Sequence, residues 1–288
     1  MLAMIGLSLG LWQNRPSFSP LSLSPLAWWD WSDTTKLYTD SGLATLVSAD
    51  GDPLGGLKDK SGNNYHLTQT DGTAKGLYKT AIQNGKSIGR TDGVNDFWTV
   101  TNSKTAFKSM HYTGGTLVFA GKVGLTANPN AGYGVCANNG NNGTNGFAFF
   151  LENRTGTMTK ACRPIIYSIN GASVADAFTA SANYANTFPP ATSSVVSFKT
   201  DPQNSTLANR ISVFLNNGSG INGNTSNGSA SSSDAQNNLM VGSNVNNLGV
   251  NNFFAPADFY ELLFFSSILS DANLALVMNY LNTKWGIY

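Results

Sequence analysis

The sequence predicts an all-β chain: a two-sheet antiparallel β-sandwich with one C-terminal α-helix and an extended N-terminal arm. Three observations carry that expectation. Asp258 to Phe265 is apolar on both alternating sets, with Phe259, Leu263 and Phe265 on one and Tyr260, Leu262 and Phe264 on the other, the pattern of a strand covered on both faces. Short alternating runs recur along the chain, separated by Gly, Asn, Asp and Pro. Only 11% of the residues are charged, and the polar surface is built from Asn, Ser, Thr and Gly, which suits strands and turns better than helices.

The helix follows directly from that last strand. Ser270 is the expected N-cap, Asp271 places a carboxylate at the positive end, and Leu269 can staple onto Leu274. Leu274, Val277, Met278, Leu281 and Trp285 then share one face, and Lys284 and Gly286 close the C-terminus. Trp285 is expected to pack onto the sandwich near Trp28–Trp31.

Earlier in the chain, residues 1–25 read as an apolar arm and Ser/Pro connector, and residues 26–288 as the folded domain. Met1 to Trp12 lacks the basic start and cleavage site of a signal peptide and is too short to span a bilayer, so no membrane partner is expected. Its Leu2, Met4, Ile5, Leu7, Leu9, Leu11 and Trp12 are candidates for docking onto another subunit. Prolines 16, 20 and 25 predict an extended, polyproline-like connector. Trp28, Trp29 and Trp31 supply a large area to bury. Short strands are expected at Leu43–Val47, on both sides of the Asp92-Gly93 turn, and at Leu117–Val123, Gly146–Leu151 and Arg210–Leu215. Ala137–Asn145 and Asn216–Asp234 are Asn/Gly/Ser runs that predict surface loops.

Little in this sequence points to chemistry. A net charge of +1 without grouped Lys or Arg argues against a nucleic-acid partner. Glycoside hydrolysis needs two facing carboxyls, and Glu152 and Glu261 lie on different strands. Glu261, inside an apolar strand, is expected to accept hydrogen bonds from backbone, Ser or Trp groups. His66 and His111 read as surface or turn residues without a nucleophile elbow, and Gly85-Lys86-Ser87 lacks the rest of a phosphate loop. The expectation is therefore no enzyme and no cofactor. Cys136 and Cys162 read as small buried hydrophobes, a bridge between them being the alternative. Calcium is the one metal with candidate ligands: Asp92, Asn95 and Asp96, with Asp50 and Asp52 as further turn carboxylates. Tyr133, Tyr184 and Phe188 beside the Asn-rich loops are candidates for stacking a sugar.

Between residues 26 and 286 the chain resembles the concanavalin A-like, laminin-G-like jelly-roll domains, particularly those of bacteriophage virion proteins. The residues that carry this are Trp28-Trp29-Asp30 with Ser32-Asp33, Asp59-Lys60-Ser61-Gly62-Asn63-Asn64, Thr91 to Asp96, Ile211 to Gly218, Met240-Val241-Gly242, Tyr260-Glu261-Leu262 and the segment from Leu269-Ser270 to Trp285-Gly286. The paired-acid Glu-x-Asp-x-Glu strand of that superfamily's glycosidases is missing. The resemblance implies a non-enzymatic structural protein displayed on a virion surface and anchored by its arm. Its implied partners are other virion structural proteins and copies of itself. The alternative is a carbohydrate-binding adhesion module with a glycan ligand.

Overall fold

The structure, a computed structural model, describes residues 18–124, 131–140, 144–153, 161–168, 173–176, 191–223, 228–245 and 251–288. In chain order the strands begin with β1 Ala27–Asp30, β2 Leu37–Tyr38, β3 Gly56–Leu57, β4 Leu67–Thr68, β5 Leu77–Gln83, β6 Lys86–Asp92 and β7 Trp98–Val100. They continue with β8 Gly115–Val123, β9 Ala131–Ala137, β10 Gly146–Asn153, β11 Ala161–Tyr167, β12 Ser173–Asp176, β13 Ser194–Thr200 and β14 Ile211–Leu215. The last are β15 Ile221–Asn222, β16 Met240–Val241, β17 Asn244–Val245, β18 Asn251–Asn252 and β19 Pro256–Phe265, before the helix α1 Asp271–Trp285.

Among the described residues these strands form two antiparallel sheets that face each other, with β17 and β18 pairing as a separate two-stranded ribbon. One runs β15-β14-β13-β8-β19-β6-β5, with β1 also paired to β19; the other runs β12-β11-β10-β9-β16-β7-β4-β3-β2. The sandwich with a C-terminal helix is therefore as the sequence predicts. β19 sits between β8 on one side and β6 and β1 on the other, which is why all ten of its residues are buried.

Between the sheets lies an aromatic core. Trp31 meets Trp98 and Phe259 at ring distances of 5.8 and 5.3 Å, and Phe149 meets Phe198 at 5.2 Å. Buried indole N–H groups need acceptors: that of Trp29 donates to the Tyr65 carbonyl at 2.8 Å and that of Trp98 to the Leu54 carbonyl at 2.9 Å. At Gly89 a Cβ would lie 2.2 Å from Trp31 Cδ1, so β6 passes the indole only because the residue has no side chain.

On its outer face the first sheet carries α1. Ser270 Oγ accepts from the Asn273 N–H at 3.2 Å, and Gly286 closes the helix in the left-handed conformation. The five apolar positions expected to face inward are the buried ones, and Leu269 joins the same cluster. Trp285 stacks on Tyr260 at 4.8 Å. Burial of each such large side chain contributes about 1.5–3 kcal/mol, so the helix is part of the cooperative unit.

Several expectations need correction. Leu43–Val47 is not a strand; the Asp40 carboxylate takes the Ala44 and Thr45 N–H groups, and only Leu46 bridges, to Tyr38. The connector is not wholly extended, because Pro20–Leu23 makes a 3-10 turn capped by Ser19, with Pro20 at a position where its missing N–H costs nothing. The described residues of the first Asn-rich run are not a solvated loop: Asn138, Asn139 and Asn145 are buried, the Asn138 side-chain oxygen accepts the Phe147 N–H at 2.9 Å, and residues 141–143 lie outside the described residues. His111 is likewise fully buried, its Nε2 3.1 Å from the Ser233 carbonyl.

Candidate functional site

β1 and β19 run antiparallel with Asp30 opposite Glu261, and a buried ionic cluster grows from that pairing. Glu261 is fully buried and accepts from the Trp28 indole at 2.7 Å and the Trp285 indole at 3.0 Å, with Lys284 Nζ 2.7 Å away. Lys284 also reaches Asp30 at 2.8 Å, and Lys60 pairs with Asp30 at 2.8 Å and Asp33 at 2.9 Å. Burial pushes the Glu261 carboxyl above the ordinary range and the Asp30 charge adds to this, while Lys284 and the Trp28 indole draw it back. Burial also raises Asp30, yet Lys284 and Lys60 outweigh it and leave that carboxyl lowered. Both carboxylates are buried and each of their oxygens is engaged, those of Asp30 by Ser32, Lys60 and Lys284, so the cluster ties β1, β19 and α1 together. The Trp donors of Glu261 are as expected. Its Lys284 and Asp30 neighbours were not legible, since Asp30 and Lys284 stand 254 residues apart.

The calcium candidates meet in the loop after β6. Asp92 Oδ1 accepts from the Val94 and Asn95 N–H groups at 2.8 and 3.3 Å, and Asp96 Oδ2 accepts from the Asp92 N–H at 3.0 Å. Asn95 spends its amide N–H on the Thr73 carbonyl at 2.8 Å. Asp92 and Asp96 thus stand together while Asn95 turns to another loop, a geometry explained by turn formation. Among the described residues no three His, Cys, Asp or Glu side chains converge as metal ligands. Asp50 is held by Lys79 and the Thr80 N–H, and Asp52 by the Ser48 and Ala49 N–H groups.

Of the proposed sugar-stacking aromatics, Tyr133 is buried, and Tyr184 and Phe188 lie outside the described residues. The Glu152 side chain and arm residues Leu2, Met4, Ile5, Leu7, Leu9, Leu11 and Trp12 also lie outside them. Cys136 is a buried free thiol, raised well above its ordinary pKa by that burial.

The aromatic and amide groups that a sugar needs come together elsewhere, in a groove of about 460 Å³ between residues 216–220 and α1. Phe214 and Tyr288 flank it, and Asn216, Asn217, Ser219, Asp271 and Asn279 line it. The loop is pinned: Asn216 donates its N–H to the Val195 carbonyl at 2.8 Å and accepts the Val195 N–H at 3.0 Å, and Gly218 N–H bonds Leu215 O at 2.9 Å. Gly220 lets the backbone cross Phe214, where a Cβ would lie 2.6 Å from the ring. The Tyr288 main chain is held by the Asn282 amide, which donates to its carbonyl at 2.7 Å and accepts its N–H at 2.8 Å. Asp271 is neutralised by Lys199, whose ammonium sits 5.2 Å from the Phe214 ring centre. The result is a near-neutral groove with exposed Asn217 and Asn279 amides. Sequence reasoning read the Asn216-Asn217-Gly218 segment as a hairpin turn; the β14–β15 pairing confirms the hairpin, but its meeting with the helix is a tertiary event.

No protein-family model matches the chain, and no curated protein matches it by sequence. Solved structures do. The receptor-binding domain of botulinum neurotoxin D is similar over 90% of this chain and 53% of its own, at 13% identity and a TM-score of 0.54. That of the C/D mosaic serotype is similar over 89% and 51%, at 12% identity and a TM-score of 0.54. A Ruminococcus gnavus IT-sialidase CBM40 bound to α2,3-sialyllactose covers 69% of this chain and 98% of its own, at 18% identity and a TM-score of 0.48. This chain spans about half the length of the toxin domains it matches. At such identities the shared property is the fold, a β-sandwich of jelly-roll type.

The Asp92–Asp96 pair yields a pH dependence. Burial first and the Asp92 charge second raise Asp96 to about 6 from 3.8. Between those values the native state holds a proton that the unfolded chain releases, so stability contributed there falls as pH rises and is lost above about 6. NMR titration of the carboxyl should place Asp96 near that value, and Asp96→Asn should change the slope of stability between pH 4 and pH 6 by removing this one group's share. A normal Asp96 titration with an unchanged slope in the variant contradicts this.

Proposed function

We propose that this chain is a carbohydrate-binding module without catalytic activity, and that it presents the groove between residues 216–220 and α1 to a glycan. The observation that carries the reading is the groove's composition: two aromatic residues, Phe214 and Tyr288, beside exposed amides at one loop-to-helix junction. The apolar face of a pyranose stacks on an aromatic ring, and its hydroxyls pair with groups that both donate and accept, as Asn amides do. The neutralised Asp271 suits an uncharged sugar. Support from the fold comes from similarity to domains described as receptor-binding. A glycan array probed with the full chain should give neutral-sugar hits. Tyr288→Ala and Asn217→Ala should each weaken them about tenfold, equal to about 1.4 kcal/mol, without lowering the melting temperature. An empty array, or hits indifferent to both substitutions, overturns the reading.

Display of this module on a phage virion surface, beside virion structural proteins or copies of itself, is the second reading. It is supported by the resemblance of residues 26–286 and by the apolar composition of the arm. Phe18 and Leu23, in the Ser/Pro connector of that segment, pack against the helix cluster. Phe18, Leu276 and Tyr280 there line a groove of about 380 Å³, an apolar landing on the side where the arm joins. Deleting residues 1–17 should leave melting and glycan binding intact while abolishing incorporation into the particle. Loss of folding instead assigns the arm to the domain's own core.

A further inference from the structure

We infer that Lys36, Lys58 and His66, a row across the edge of the second sheet, form a separate binding site for an acidic sugar, whose carboxylate or sulfate lies between the two lysines. The row follows from register. Leu37 pairs with Leu57, and Leu57 with Leu67, all three buried in the inter-sheet core. Lys36, the last residue of a 3-10 turn at Thr34–Lys36, and Lys58 and His66, each just outside a strand end, stand one position from these leucines, and all three line one cleft. The Lys58 N–H donates to the Lys36 carbonyl at 2.9 Å, which fixes the two lysines as cross-strand neighbours.

Like charges directly opposite on a sheet are destabilising, and the charge of Asp59, felt at His66 in the same cleft, offsets only part of this pair. Among the described residues neither Lys36 nor Lys58 has a carboxylate partner. Lys60, nearby, is already committed to Asp30 and Asp33. Asp59 lies in the same cleft, but Asp59 Oδ1 accepts the Trp28 and Ser61 N–H groups, and Oδ2 accepts the Ser61 hydroxyl and the Tyr65 N–H. Lys58 is held over the Tyr38 ring at 4.6 Å and so is preorganised rather than free.

The cleft has a volume of about 490 Å³ and is completed by Gly62 and Asn64, both exposed. His66 Nδ1 accepts the Asp59 N–H at 3.1 Å, which leaves the proton on Nε2 as an outward donor. Burial first, then Lys58 and Lys36, lower the His66 pKa against the pull of Asp59, so the ring is neutral at pH 7. The site therefore offers two cations beside a neutral imidazole and an amide. An oxyanion carried on a hydroxylated ring matches that set, the anion on the lysines and the hydroxyls on His66 and Asn64. A bare polyphosphate leaves the neutral half unused.

The test uses the full chain with oligogalacturonate as carboxylate probe, a chondroitin sulfate oligosaccharide as sulfate probe, maltohexaose as neutral comparison, and sodium sulfate and a DNA duplex as non-sugar anions. One or both acidic oligosaccharides should bind more tightly than any other probe, and which of them binds identifies the anion. Lys36→Gln and Lys58→Gln should each weaken that binding roughly fivefold, and Lys58→Arg should restore it relative to Gln. Raising salt from about 50 to about 500 mM should weaken it at least about tenfold. The His66 ring titration, followed by NMR, should move upward when the acidic sugar is bound. Maltohexaose binding alone, equal in wild type and both Gln variants, overturns this site and leaves the neutral-groove reading standing. Tighter binding of DNA or sulfate than of either acidic sugar overturns the sugar assignment. Acidic-sugar binding with no array hit for neutral sugars upholds this site and removes the groove reading.

Discussion

Glu261 is the constraint on which the rest of this structure depends. A carboxylate at the centre of the most buried strand is tolerable only if its charge is matched and its oxygens are filled. Two indoles and one ammonium do this, and they arrive from different parts of the chain: Trp28 from β1, and Lys284 and Trp285 from α1. The requirement thus fixes the helix register over the sheet and the seating of β1 on β19 together. It extends further through Asp30, which shares Lys284 and engages Lys60. Lys60 belongs to the turn whose Asp59 carboxylate gathers three backbone N–H groups, so the turn bordering β3 and β4 is set by the same network.

The two surface sites sit on opposite sheets and differ in charge for a structural reason. The groove at α1 lies where Lys199 pairs with Asp271, so amides and rings line it beside an ion pair. At the other edge, Asp33 pairs with Lys60 and Asp59 holds turn N–H groups, so among the described residues neither lysine of the row has a carboxylate in direct contact. A chain with a net charge of +1 can therefore hold a local cationic row.

What could be read in the sequence was local. The cap at Ser270, the apolar face from Leu274 to Trp285 and the Gly286 stop depend on spacing within one helix, and all are observed. The apolar run in β19 announced its own burial. Errors arose where a side chain overrode the local pattern, as when Asp40 captured the N–H groups that a Leu43–Val47 strand would have needed. They also arose where burial came from distant partners, as at His111 and Asn138. The candidate sites were illegible because each joins segments that no spacing rule connects. One signal was present in the lysine row: a basic or imidazole residue next to a core leucine at Lys36-Leu37, Leu57-Lys58 and His66-Leu67. It gains meaning only once β2, β3 and β4 are known to pair in register.

The most direct measurement of the Glu261 claim is a double-mutant cycle on the unfolding free energy with Glu261→Gln, Lys284→Met and both together. Lys284→Met alone strands a buried charge and should cost roughly 3–5 kcal/mol. Adding Glu261→Gln should relieve that burden, so that the double variant is more stable than the sum of the single effects by about 1 kcal/mol or more. Additivity within about 0.5 kcal/mol, with a small effect of Lys284→Met, would show that the carboxylate is not what holds helix and strands in place.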